Sequence, residues 1–222
     1  MPGTYYLFWL LVPTVLAIVS AHPAVLGVVV VALVARRWMP DPIAYLRHAG
    51  RVRSLQSQID LNAANAVART QLAEIWLEKR RPRRATPLLE KALERDPDSA
   101  ELKYLLGLSK LRGGDAEGAL APLADALAKD PKVRYGSAYL AIGEALFEVG
   151  RLEEAIDAYE RYLKINTSSL EGYAKLARAR ERNGDEAGAR MARAHAIDTY
   201  RVLPRFQRRK QLAWWLRIKL LG

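Results

Sequence analysis

Three histidines (His22, His48 and His195) and two adjacent acid pairs (Glu153-Glu154 and Asp185-Glu186) are the side chains that could move protons or hold a metal. Their spacing supports neither role. The histidines lie far apart and form no ligand-spaced pair. The chain has no cysteine, which excludes thiolate metal sites, disulfides and a thiol nucleophile. The acid pairs fall at turns and helix starts, where carboxylates complement the positive end of the helix dipole. There is no glycine-rich phosphate loop and no nucleophile elbow. The sequence therefore predicts no catalytic residue, no metal, no cofactor and a protein that is not an enzyme.

The remaining charge is unevenly distributed. The chain has 222 residues and a formal net charge of +11. Residues 1–35 carry no charged side chain, and residues 54–198 balance their bases and acids. The whole excess sits in two flanks. One holds Arg36, Arg37, Arg47, Arg51 and Arg53 against Asp41, and the other runs from Arg201 to Lys219 without an acid. A nucleic-acid binder would place its basic footprint on the folded domain. Basic flanks beside a long apolar stretch fit an anionic membrane surface instead, which argues against nucleic acid as partner.

That apolar stretch, residues 5–35, exceeds the ~18 residues that mark a membrane-spanning segment. As one helix it would be ~46 Å long, against a hydrocarbon core of ~30 Å. It is either a single kinked span or a hairpin turning at Ala21-His22-Pro23, since proline disfavours helix at the residue before it; the hairpin is slightly favoured. Arg36 and Arg37 follow the apolar run at once, so the positive-inside rule puts everything after them in the cytoplasm. Trp38 fits an interfacial aromatic belt. Residues 1–38 are thus expected to be a membrane anchor, in a bacterial inner membrane given the Ala/Arg-rich composition.

The elements beyond the anchor are organised by a repeat. Ala85, Leu89, Ala92 and Pro97 return 34 residues later as Ala119, Leu123, Ala126 and Pro131. Ala155, Tyr159 and Tyr162 form a third copy, and Ala189, Arg193 and Ala196 a fourth. The other half of the unit recurs as Leu106-Gly107, Ile142-Gly143 and Leu176-Ala177. Each unit reads as a helix, a short Gly-containing turn and a second helix; in the third copy these are about 136–149 and 152–165. One such hairpin cannot bury its apolar face alone, so the copies must stack.

On these residues the chain resembles the tetratricopeptide repeat (TPR) family. The resemblance implies an all-α solenoid of about four units over 66–203, after a connecting helix or degenerate half-repeat at 39–65. It also implies protein binding in a groove lined by the first helices. The register places Thr70, Glu74, Tyr104, Leu108, Leu140, Glu144, Phe147, Ala174 and Arg178 there. The carboxylate-gripping subgroup of the family would need Lys, Asn and Arg where this chain has Thr70, Glu74, Leu105, Ser137 and Ala141. The groove is therefore expected to be apolar with some acid at its centre, suited to an amphipathic or extended apolar segment. The first unit departs in its polybasic turn, 79–84, and Arg134-Tyr135 look inserted before the third.

Residues 204–222 form a basic, Trp-containing tail. Arg205, Arg208, Arg209, Lys210, Trp214 and Trp215 are expected at a headgroup interface, or else in a helix that caps the last repeat. Together these features predict a membrane-anchored scaffold that binds another protein at the cytoplasmic face. The alternative is a structural subunit of a membrane complex, in which the anchor and tail make the essential contacts.

Overall fold

The computed structural model describes residues 42–221. The expected anchor, with Arg36, Arg37 and Trp38, lies outside the described residues. Two compact units divide the chain, 1–53 and 54–222. The described residues form helices and turns only, beginning with α1 (Pro42–Leu61). No helix among them is long and apolar enough to cross a membrane.

Four helix pairs follow in the second unit: α2 (Ala66–Glu78) with α3 (Pro82–Leu93), α4 (Ala100–Arg112) with α5 (Ala116–Lys129), α6 (Ser137–Glu148) with α7 (Leu152–Ile165), and α8 (Leu170–Arg182) with α9 (Glu186–Val202). A last helix, α10 (Arg205–Leu221), ends the stack. Each helix packs on its pair mate and on the next helix in the chain. The first helices of successive pairs also touch: α2 on α4, α4 on α6 and α6 on α8. Those contacts put the first helices together on one side of the stack, which is the side expected to carry a groove.

Helix pairs approach closely because small residues meet large ones. Ala85, Ala119, Ala155 and Ala189 are buried, as are Leu89, Leu123 and Tyr159 on the same second helices. A Cβ added to Gly107 would stand 2.5 Å from Leu123 Cγ, and one added to Gly143 would stand 2.7 Å from the Tyr159 ring. The fourth pair has Ala177 at this position, and the large partner is replaced by Arg193. The arginine is held by Glu181 at 2.6 Å, so the departure from an apolar residue is offset by an ion pair.

Turns follow the same economy. Gly114, Gly150 and Gly184 take φ between 84° and 88°, and each ends the first helix of its pair. Arg80 occupies the equivalent place in the first pair, with φ 55°. Ser99, Asp115, Ser169 and Asp185 cap the helices that follow them by accepting a backbone N–H.

The Arg134-Tyr135 insertion forms a 3₁₀ turn, Val133–Gly136, in which both residues have positive φ, 47° and 56°. The third pair therefore opens at Ser137, behind a left-handed Gly136, one residue later than the periodicity suggests. Between the first two pairs, the fully buried Ser109 hydroxyl donates to Pro82 O at 3.1 Å and shares a hydrogen bond with Thr86 at 2.9 Å.

Packing at the small residues makes a direct prediction. Gly107→Ala should lower stability by about 1–3 kcal/mol through overpacking against Leu123. That loss exceeds the ~1 kcal/mol that alanine gains in helix propensity. Chemical denaturation checks it, and the same substitution made in a Leu123→Ala background should cost less.

Candidate functional site: the groove of the first helices

The groove residues come from α2, α4, α6 and α8, and the structure separates them into three groups. Thr70 turns back on its own helix, donating to Ala66 O at 2.9 Å. Glu74 is bound by Arg134, whose guanidinium also binds Glu101 on α4. One side chain from the inserted turn thereby ties the first two repeats to the third. The hydrogen bond to Glu101, reinforced by that to Glu74, raises the Arg134 pKa further above its already high value. Glu74 is therefore spent on the scaffold.

Tyr104 and Phe147 are buried. Loss of solvent pushes the Tyr104 phenol above its ordinary pKa, so it stays neutral. Phe147 carries two guanidinium groups, Arg178 at 4.8 Å and Arg182 at 5.0 Å from the ring centre. Both aromatics are packing residues, Tyr104 at the floor of the groove, and Arg178 is the exposed member of its pair with Phe147.

The third group is accessible. Leu108 and Leu140 are half-buried and line a concavity of about 740 Å³ together with Tyr104, Ala141, Glu144, Glu148, Glu171, Lys175 and Trp214. Lys175 bonds Glu144 at 2.7 Å and lies 3.6 Å from Glu171, so two of the acids share one cation. Glu148 is exposed on the same wall and has no ion pair among the described residues. The result is an apolar floor with a rim of acid that Lys175 and Arg112, which also lines the concavity, partly compensate.

Trp214 reaches this concavity from the C-terminal helix. It also lines a second concavity of about 430 Å³ with Glu144, Ala174, Lys175, Arg178 and Arg217. Trp215 stacks on Tyr200 with ring centres 5.2 Å apart. Gln211 accepts from Leu170 N–H at 2.7 Å and donates to Ser168 O at 2.9 Å, which fixes α10 at the start of α8. Arg208 donates to Leu203 O at 2.8 Å and also to Arg201 O. Both tryptophans and Arg208 thus serve the last repeat, as in the capping helix that the sequence offered for this tail. Arg205, Arg209 and Lys210 are exposed. The signal that could have found this was Gln207-Gln211-Trp214-Ile218, a helical stripe hidden within an irregular apolar pattern.

Among the described residues no group of His, Asp and Glu could hold a metal ion.

Two family models, both described as tetratricopeptide repeat, match residues 70–134 and 110–180. No curated protein sequence matches the chain. Among solved structures it resembles MamA at 24% identity, covering 67% of this chain and 85% of that one, with a TM-score of 0.62. MamA from Desulfovibrio magneticus RS-1 gives 19% identity, 72% and 92% coverage and a TM-score of 0.65. YrrB, whose structure is described as that of a TPR protein with an unusual peptide-binding site, gives 18% identity, 71% and 80% coverage and a TM-score of 0.60. At these identities the likeness is one of fold.

Trp214 offers a test of how the groove is closed. Trp214→Ala should cost roughly 2 kcal/mol, below the about 3–5 kcal/mol of a fully buried ring. Amide hydrogen exchange should quicken in α10 while α4–α7 keep their protection. Uniform loss of protection would show that α10 is integral to the whole stack.

Proposed function

Since residues 70–180 of this chain are tetratricopeptide repeats, we propose that it is a scaffold that binds another protein in the groove of its first helices, and that it is not an enzyme. The observation that carries this reading is the concavity around Leu108 and Leu140. Its apolar floor would take alternate or one-turn-spaced apolar side chains of a bound segment, and Glu148 on the rim would favour a segment with basic residues beside them. The peptide-binding site named for YrrB supports the same use of the fold.

We further propose that residues 1–38 anchor the scaffold in a bacterial inner membrane with the repeats on the cytoplasmic side. The uncharged run over 5–35 and the Arg36-Arg37 pair behind it support that placement. Anchoring would confine the bound partner to the membrane surface, which raises its effective concentration there without any new contact.

A photo-crosslinking amino acid at Leu108 or Leu140, in native membranes, tests the groove. Tyr104 is unsuitable because it is buried and its replacement would disturb the stack. Both positions should yield the same discrete protein adduct, and a crosslinker at Lys91, exposed on α3, should not. Absence of that adduct, or the same adduct from Lys91, would remove the groove from the function.

A further inference from the structure

The packing of α10 leaves its opposite side uncovered. Phe206, Leu212, Leu216 and Leu220 are 62%, 44%, 46% and 84% exposed. Leu212, Leu216 and Leu220 follow one another at four-residue spacing, and Phe206 falls on the same half of the helix. Arg205, Arg209, Lys210, Arg217 and Lys219 are exposed around them, and the helix has no acidic residue. Ile218, Gln211 and the two tryptophans occupy the other half.

Arg217 lies over the Trp214 ring at 4.8 Å, but folding does not explain the other cations. Arg205, Arg209 and Lys210 sit near the start of α10, where positive charge opposes the helix dipole. Of the basic residues in that first stretch, Arg208 is the one that bonds the last repeat. A helix selected only to cap the stack would carry acids at its start and polar residues outward. Apolar side chains interspersed with cations match a surface that is apolar below and anionic above. A second copy would set like charges against each other. A nucleic acid would leave the four apolar side chains without a partner.

We propose that the outward face of α10 is a lipid-contact surface that lies on an anionic phospholipid layer. Phe206, Leu212, Leu216 and Leu220 enter the headgroup–acyl boundary, and Arg205, Arg209, Lys210 and Lys219 bind the lipid phosphates, their long stems reaching back to the charged layer. The tryptophans take no part. The inference rests on the reading that the chain works at a membrane, but it is independent of the groove.

The absence of native cysteine permits a local probe. The full chain carrying Leu216→Cys, labelled with the polarity-sensitive dye NBD, is reconstituted in phosphatidylcholine vesicles with and without phosphatidylglycerol. On anionic vesicles the emission should shift to the blue and be quenched by spin-labelled lipid. Both effects should be lost when Arg205, Arg209 and Lys210 are changed together to Glu, and absent from a label at Lys91→Cys. A label at 216 that stays solvent-exposed on anionic vesicles overturns the proposal. So does a shift without lipid quenching, which means self-association, or one unchanged by the charge reversals. Flotation with neutral vesicles reads the 1–38 anchor separately. A chain that floats without the shift keeps the anchor and loses this surface; a shift without flotation on neutral lipid does the reverse.

Discussion

The close approach of two helices at one small residue is the constraint on which the rest of this structure depends. At Gly107 and Gly143 the first helix of a pair has no side chain, so Leu123 and Tyr159 can seat against its backbone. Glycine inside a helix costs about 1 kcal/mol of propensity, and the chain accepts that loss to bring the helices together. Once the pairs are tight, the first helices of neighbouring pairs meet and gather on one side. The groove follows from that gathering. It is a geometric result of where side chains are absent, and the residues lining it are those left over after packing is satisfied.

The inserted turn shows how an irregularity is absorbed. Arg134 and Tyr135 both adopt positive φ, a conformation that costs a non-glycine residue of order 1–3 kcal/mol. The compensation is the pair of bonds from Arg134 to Glu74 and Glu101, on two different repeats. These groups are only partly buried, and exposed ion pairs contribute little individually. Here one cation serves two acids already held on rigid helices, so less side-chain freedom is lost per bond. The same contact removes Glu74 from the groove and moves the accessible part towards Leu108 and Leu140.

At the other end, α10 resolves the problem that every solenoid has: its last repeat exposes a core-facing surface. Leu170, Ala196, Leu203 and Ile218 form a small core of their own, with Trp214 and Trp215 packed beside them. The helix thereby does two things with its two halves. One half closes the stack and gives the groove a wall at Trp214, and the other presents cations and apolar side chains outward. Few apolar contacts hold it compared with the central pairs, so it belongs to the more easily opened part of the molecule.

The sequence by itself determined the fold class and the helix pairing, because a repeated spacing of Ala, Gly and Leu has one way to bury its apolar faces. It also located the second helix of the third pair, Leu152–Ile165, to the residue. Tertiary structure alone decided which groove residues remain accessible. Register placed Glu74 and Phe147 on the inward side, but their partners Arg134, Arg178 and Arg182 come from elsewhere in the chain, and accessibility is a property of those contacts. It likewise decided the roles of the tail. A linear pattern shows tryptophans beside cations; only packing shows that the rings turn inward and the leucines out. Periodicity is local and legible in one dimension, whereas the choice between two faces of a helix depends on what the rest of the chain places against it.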